Sequence, residues 1–251
     1  MEVNRKPYQG VLNIIRFNWH FYLIAVLLYI VWLSIRVLLS ETWLSVLDPI
    51  ALLGLISMAT SLLASYYVYD QTDLYQMSWL PDLNQHNLLN INAGFDETSS
   101  IIKEKFPEST LQICDFYNPQ THTEVSIKRA RKAYPPDPNT QRVQTTALPF
   151  KDDHFDTVIA VFSVHEIRDE NERLSFLKEL HRITKKEGQL LIMEHLRDLP
   201  NFLAYTLGFM HFYSKSNWLK QFRLAQWTLQ EEQKHTPFVS VFKLKKHGDS
   251  P

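Results

Sequence analysis

Residues 87–115, NLLNINAGFDETSSIIKEKFPESTLQICD, decide how the chain reads. Leu88, Leu89 and Ile91 form a short apolar run that stops at Ala93-Gly94, residues 97–105 read as a helix, and residues 111–114 form a second apolar run. Strand, helix and strand in this order make a βαβ unit, whose two strands lie parallel in one sheet. The turn after the first strand sets backbone N–H groups and a helix N-terminus above the sheet edge. Asp115, at the tip of the second strand roughly 20 residues further on, has the position from which a carboxylate accepts hydrogen bonds from the two hydroxyls of a ribose. The unit predicts an adenosine-type ligand. Gly94 is the glycine of the turn, while Asn92 and Asp96 stand where further glycines are usual; both residue types tolerate a left-handed backbone, so a tight turn survives.

Around this unit, a chain of 251 residues has room for one α/β domain and an accessory segment. The formal net charge of -1 offers no bulk attraction to nucleic acid, so no nucleic-acid partner is expected. The single cysteine, Cys114, cannot close an internal disulfide. In the apolar second strand it reads as a buried, inert thiol in a reducing compartment.

Upstream, residues 17–39 are almost all apolar or aromatic, interrupted by Asn18 and His20 at the start and Arg36 near the end. An arginine there can snorkel to a headgroup region. Asp48-Pro49 reads as an N-cap and a first helical residue. It opens residues 49–69, which carry no charge and are long enough to cross a hydrocarbon core. The two runs predict a hairpin in a lipid bilayer, turning near residues 40–47, with Trp43 and the Tyr66, Tyr67 and Tyr69 cluster at the interfaces. A pair of buried soluble helices and a cleaved signal peptide are the alternatives. Arg5, Lys6 and Arg16 precede the first run and Arg36 alone follows it, which places the N-terminus in the cytoplasm. The expected location is the cell membrane, with the domain on its cytoplasmic side. Residues 70–86, with Tyr75, Trp79 and Pro81, either cover one side of the ligand site or form a collar at the bilayer surface.

Beyond Asp115, residues 123–134 read as a helix bearing Lys128, Arg129, Arg131 and Lys132, a solvated face or one resting on anionic lipid. Residues 141–146 are a third strand candidate. Residues 155–162 are apolar enough for a strand buried on both faces, and lead to His165-Glu166. An amphipathic helix follows over 170–183, then a turn at Lys185-Lys186-Glu187-Gly188 and a strand over 189–193 that ends in Glu194-His195-Leu196-Arg197-Asp198. Residues 201–212 form an aromatic helical region and residues 218–222 another helix. The runs 225–231 and 238–244, joined by 234–237, pair as an antiparallel hairpin. No zinc-ligand spacing, nucleophile elbow or phosphate-gripping loop is present, so no metal is expected.

Ala147-Leu148-Pro149-Phe150 ahead of residues 153–158, DHFDTV, with His165 past that strand and the helix end LHRITKKEGQL at 180–190, resemble the class I S-adenosylmethionine-dependent methyltransferases. The likeness is to the group that includes quinone and other small-molecule methyltransferases, and it covers residues 69–246. The chain departs from the pattern at Asn90 for an acidic residue, at Asn92 and Asp96 for glycines, and at Gln144 or Thr145 for an acidic residue after the third strand. The resemblance implies a Rossmann-like α/β fold: a seven-stranded, mostly parallel sheet with an antiparallel final hairpin, here preceded by two transmembrane helices. It divides the chain into a membrane hairpin at 1–69, an aromatic connector at 70–86 and a methyltransferase domain at 87–246.

By the same resemblance S-adenosylmethionine is the cofactor, with Asn92, Ala93 and Gly94 at its amino-acid portion, Asp115 at its ribose, Thr146, Ala147 and Leu148 at its adenine, and His165 on the methyl-transfer side. For a phenol, enol or amine acceptor a base assists, and histidine is poised for that near neutral pH. His165 with Glu166, and Glu194 with His195, are the catalytic candidates. The plainer account is that His165 packs without chemistry and that Glu194 or Asp198 pairs with Arg197. Tyr205, His211 and Tyr213 supply either polar contacts to the acceptor or aromatic core. The implied function is methyl transfer to a small lipid-soluble acceptor by a membrane-anchored enzyme. The alternative is a membrane-anchored, non-catalytic binding or assembly protein on a degenerate methyltransferase fold. A nicotinamide-dependent enzyme would instead show a parallel last strand.

Overall fold

The computed structural model describes residues 5–122 and 124–246. Two long helices come first, α1 (Gln9–Arg36) and α2 (Glu41–Tyr66). Both are long and apolar enough to cross a membrane. Asn18 has non-helical torsions (φ -115°, ψ 19°) and divides α1. The part before it is amphipathic and turns Gly10, Asn13 and Phe17 onto the domain; the part after it leaves its leucines and isoleucines exposed. At the base of the hairpin the Asp70 carboxylate accepts from the backbone N–H groups of Gly10 and Val11 at 2.7 and 2.8 Å, capping α1 from the end of α2.

The reading of Asp48-Pro49 as a helix start is overturned. α2 begins at Glu41 and contains Pro49 within it. Asp48 is taken instead by Arg36, whose Nη2 lies 2.8 Å away, an ion pair that ties the two helices near their turn. The loop is correspondingly shorter than residues 40–47. A proline N–H would have bonded Ser45, so the helix continues at the loss of that single bond.

A π-helical turn (Tyr67–Gln71) and a 3-10 turn (Leu74–Gln76) lead from α2 into the domain. There the elements alternate: β1 (Asn87–Asn92), α3 (Ser99–Lys105), β2 (Thr110–Asp115), α4 (Val125–Ala133), β3 (Gln141–Arg142), β4 (Phe155–Val161), α5 (Glu170–Ile183), β5 (Thr184–His195), α6 (Leu199–Tyr205), α7 (Lys215–Leu224), β6 (Trp227–Thr236) and β7 (Val239–Lys246). A 3-10 turn (Val164–Glu166) follows β4, and another (Thr206–His211) follows α6. The strands form one seven-stranded mixed sheet in the order β3-β2-β1-β4-β5-β7-β6. β1 to β5 pair in parallel, while β7 runs antiparallel to both β5 and β6.

Alternate residues of the central strands serve opposite faces. Leu89, Val158 and Leu190 pack with Phe176, Leu177, Trp218 and Phe222 of α5 and α7. Leu88, Ile159 and Leu191 pack with Ile102 of α3 and with Val68, Leu74, Met77 and Leu83. The aromatic connector is therefore core on the second face of the sheet. Cys114 is fully buried, and burial pushes its thiol up to about 12.

Three expectations about element limits change. The third strand shrinks to two residues, because the chain reverses at once in a turn closed by a bridge between Gln144 and Ala147. Lys185-Lys186-Glu187-Gly188 does not turn the chain before β5 but belongs to it, and the register against β4 shifts between Phe155 and Thr157. Only glycine fits at 188, since a Cβ there would press on the carbonyls of Asp156 and Lys185. The helix expected over 123–134 is seen as Val125–Ala133, residue 123 lying outside the described residues. The motif at 180–190 has a structural role: Arg182 donates to the carbonyls of Phe150 and Leu148 at 2.7 and 2.9 Å, fixing the loop before β4 to the end of α5.

Candidate functional site

Gly94, Asp115 and His165 follow the C-terminal ends of β1, β2 and β4, which are neighbours in the parallel part of the sheet. They share one edge. Gly94 has φ +98°, and a Cβ there would collide with Tyr117 and the Arg131 guanidinium. The loop is wired by the residues that replace glycines: Asn92 Oδ1 accepts from the Gly94 N–H at 2.8 Å, and Asp96 Oδ1 from the N–H groups of Thr98 and Ser99, both at 3.0 Å. Asn90, buried below, donates to the hydroxyls of Thr98 and Ser99. An acidic residue at 90 would accept from those hydroxyls, so the amide keeps the contact without a buried charge.

Asp115 accepts from the Tyr117 N–H at 2.8 Å and pairs with Arg131 Nη1 at 2.5 Å. The same guanidinium nitrogen reaches the Gly94 carbonyl at 3.2 Å. Arg131 thus bridges the first loop and the acidic tip of β2. The first half of α1 covers this side: Asn13 accepts from the Tyr134 hydroxyl at 3.0 Å, and Phe17 meets Phe95 and Tyr134 edge-on. Glu97 is held by Arg5 at 2.7 Å and the Tyr75 hydroxyl at 2.8 Å. Several buried polar atoms here have no partner among the described residues, Asn92 Nδ2 and His122 Nε2 in the loops and Arg5 Nη2 and Asn13 Nδ2 on the covering segment. His122 Nδ1 accepts from the Asn118 N–H, so the free Nε2 is a donor. A buried carboxylate at a strand tip, unpaired donors and a left-handed glycine fit a ligand with both acceptor oxygens and a diol, provided that Arg131 releases Asp115.

At the next strand ends His165 sits between carboxylates. Its Nδ1 lies 2.6 Å from Glu194 Oε2 and its Nε2 3.2 Å from Glu166 Oε1, while its backbone N–H donates to Glu194 Oε1. Burial pushes the imidazole down, yet the Glu194 charge and the hydrogen bonds to Glu166 and Glu194 outweigh it and raise His165 to about 10. Burial likewise pushes Glu166 up, and its bond to His165 with the nearby His211 and Arg168 brings it down to about 2. His165 is therefore an imidazolium at neutral pH. A ring that holds both protons donates rather than accepts, so in this arrangement His165 acts as a donor and not as the base expected of it.

His195 is its opposite. It does not pair with Glu194, whose oxygens face His165. Its Nδ1 lies 2.9 Å from the Phe238 carbonyl, which fixes the proton there and leaves Nε2 to accept from the Tyr69 hydroxyl at 2.8 Å. Its ring is stacked between Phe162 and Phe212, with centroids 5.0 and 4.8 Å away. Burial lowers it to about 4. His195 is neutral and has both nitrogens engaged. Arg197 pairs with neither Glu194 nor Asp198: it donates to the carbonyls of Phe212 and Met210, and Asp198 caps α6 and meets Lys234.

Thr146 and Ala147 lie exposed in the turn after β3, and Leu148 is turned into the core against α5. His211 joins the His165 network, 3.1 Å from Glu124 and 3.9 Å from Glu166, and Arg168 contacts Glu124 and His211. His165, Glu166 and His211 place ligand-type atoms within 4.8 Å of one another. His165 faces Glu166 and Glu194 while Arg168 faces Glu124, so these groups form one network of ion pairs. Sequence reasoning missed Arg131, Arg168 and Tyr69 as members of the site. Tyr69 is 126 positions from His195, and no local pattern connects them.

Comparison with known proteins agrees with this geometry. Residues 119–192 match the family model described as a methyltransferase domain. A demethylmenaquinone methyltransferase of Thermotoga maritima is 27% identical over 135 residues, 54% of this chain and 54% of the relative. The chain thus spans about half the length of the curated relative it matches. Among solved structures, the methyltransferase bound to its Trm112 activator in Haloferax volcanii matches over 69% of this chain and 88% of its own, with TM-score 0.50 and 14% identity. An S-adenosylmethionine-dependent methyltransferase of Aquifex aeolicus matches over 65% and 84%, with TM-score 0.46 and 14% identity. The seven-stranded mixed sheet has a methyltransferase fold. Residues 119–192 are similar to a methyltransferase domain, and β7 is reversed where a nicotinamide-dependent enzyme would have a parallel last strand.

Proposed function

We propose that this protein is a membrane-anchored, S-adenosylmethionine-dependent methyltransferase whose acceptor is a small, lipid-soluble molecule with an acidic hydroxyl. The observation that carries it is the His165 imidazolium, held by Glu194 at the same sheet edge as Gly94 and Asp115. When bound, the cofactor supplies an electrophilic methyl group on a sulfonium. Asp115, once released by Arg131, would hold the ribose diol, the unpaired Asn92 Nδ2 and the loop at Ala93-Gly94 would take the amino-acid portion, and the exposed Thr146 and Ala147 would lie toward the adenine, while Leu148 stays in the core.

His165 acts by charge. Its Nε2–H, facing Glu166, donates to the acceptor oxygen and favours the phenolate or enolate, the nucleophilic form. Glu194 keeps the ring oriented and protonated. Glu166 receives the acceptor's proton when the oxygen replaces it at Nε2, and the cover of α1 and aromatic rings keeps water out. His195 braces the end of α2 through Tyr69.

Anchoring rests on the hairpin, whose apolar side chains are exposed along both helices rather than buried as in a soluble core. Three regions, 1–69, 70–86 and 87–246, then serve as anchor, connector and catalytic domain, the last facing the cytoplasm. The likeness to a relative named for demethylmenaquinone agrees with an acceptor dissolved in the bilayer. Arg131 across Asp115 favours a second reading, a membrane-anchored binding protein that no longer takes the cofactor. Titration of the full-length chain in lipid nanodiscs with S-adenosylmethionine, followed by incubation with methyl-labelled cofactor and a membrane lipid extract, separates them. Binding heat and a labelled lipid are expected; no heat and no labelled product reject the enzyme.

A further inference from the structure

Residues 199–210 form a second exposed apolar surface beside the hairpin. They carry no charged side chain. Leu199 and Leu203 on α6 have 67% and 62% of their surface exposed, Leu207 in the 3-10 turn past the break at Thr206 has 80%, and Phe202 and Met210 join them. The inner side is fixed to the domain, with Asn201 and Ala204 buried and the carbonyl of Met210 held by Arg197 at 2.6 Å. An apolar strip this continuous on a firmly held element marks an interaction surface.

Its height along the hairpin says what covers it. Ser57 Oγ lies 2.9 Å from Thr206 Oγ1, so the segment meets α2 well before that helix ends at Tyr66. On α1 the corresponding level is His20, whose Nδ1 receives Arg129 of α4 at 2.8 Å. Above this level the helices stand free of the domain, from His20 to Arg36 and from Glu41 to Ser57, each about 24 Å at 1.5 Å per residue. A hydrocarbon core is about 30 Å thick, which leaves roughly 6 Å to be covered by other apolar surface. Val37 and Leu38 supply some of it at the far turn, where they are 82% exposed. At the near end the strip at 199–210 supplies the rest, and the exposed Lys128 and Lys132 with Arg129 on α4 lie at the level of phosphate headgroups.

We propose that the apolar face of residues 199–210 is seated among the acyl chains of the near leaflet, a third point of membrane contact beside the two helices. The proposal rests on the reading of α1 and α2 as a membrane hairpin. It brings the membrane surface beside the strand ends: Tyr205, on the inner side of this segment, packs edge-on against His195 and Phe212 at 5.6 and 5.9 Å.

Spin labels test it on the full-length chain in nanodiscs of phosphatidylcholine and phosphatidylglycerol. Labels go on Leu203→Cys and Leu207→Cys, with Leu53→Cys in α2 and Lys186→Cys at the opposite edge of the sheet as references; the buried Cys114 stays unlabelled. Collision with oxygen reports lipid and collision with a nickel chelate reports water. Labels at 203 and 207 are expected to favour oxygen several-fold over the label at 186, and to lie shallower than that at 53. Water-like values at 203 and 207 beside a lipid-like value at 53 overturn the proposal and leave the hairpin standing. Protection from both reagents at 203 and 207 overturns it in favour of a protein partner such as a second copy. A water-like value at 53 removes the hairpin reading and this proposal with it.

Discussion

His165 and His195 leave adjacent strands of one sheet, both are buried, and their charge states are opposite. Burial disfavours the charged ring at both positions. At His165 two carboxylates reverse that preference. At His195 the neighbours are two aromatic rings, a carbonyl and a phenol hydroxyl, and the opposing hydrogen bonds to Phe238 and Asn201 and the charge of Asp198 are too weak to reverse it. Depth alone therefore does not set the state of a histidine; the partners that desolvation leaves behind do.

The sharpest way to break the comparison is to take the carboxylate from His165. Glu194→Ala leaves the buried imidazole with Glu166 as its one remaining carboxylate and its Nδ1 unpaired, at an expected cost of about 3 kcal/mol in denaturant unfolding. Glu194→Gln keeps the shape and lowers the His165 pKa toward its usual range, which an NMR titration of the ring would register. An unchanged titration in that variant would show that Glu194 does not hold the proton. The linkage has a defined sign: with the folded pKa raised from 6.5 to about 10, the stability that His165 contributes is complete below pH 6.5 and is lost as pH rises through 10.

For His195 the sign is reversed. With its folded pKa lowered from 6.5 to about 4, its contribution is complete above pH 6.5 and is lost as pH falls through 4, a change of roughly 3 kcal/mol. Unfolding free energies at pH 7 and pH 4.5 are expected to converge in His195→Gln relative to the parent. Tyr69→Phe, which removes the donor to Nε2, is expected to cost about 1–2 kcal/mol in the same assay and to raise the His195 pKa. If Tyr69→Phe loosens α2 no more than a surface change does, the tie between hairpin and sheet lies elsewhere. The smallest effect concerns the neighbouring cofactor loop. Arg131→Ala frees Asp115 and is expected to tighten S-adenosylmethionine binding by roughly three- to tenfold in calorimetry, the equivalent of about 1 kcal/mol. Loss of binding would instead make Arg131 part of the cofactor's grip.

Much of the fold is legible in the chain. Apolar runs at 88–91, 111–114 and 155–162 name buried parallel strands, and the spacing of leucines over 170–183 names α5, because burial on two faces or on one stripe leaves a direct mark on residue order. Pro49 and Lys185-Lys186-Glu187-Gly188 mislead for one reason. Local signals for a start or a turn are worth about 1 kcal/mol, and continued helix or strand pairing outweighs them. The site is less legible. That residues 94, 115 and 165 meet one edge follows from strand order, whereas the Arg131 bridge and the Tyr69–His195 bond join residues 37 and 126 positions apart.

By itself the sequence determined which segments are strands, which helices are apolar enough for a bilayer, and which acid and histidine stand at strand tips. Those properties depend on side-chain pattern along a few turns of chain. Tertiary structure alone decided that His165 carries a charge, that His195 does not, and that Asp115 is held by Arg131. A pKa and an ion pair depend on distances of a few ångströms between groups that the chain brings together only after the sheet has closed.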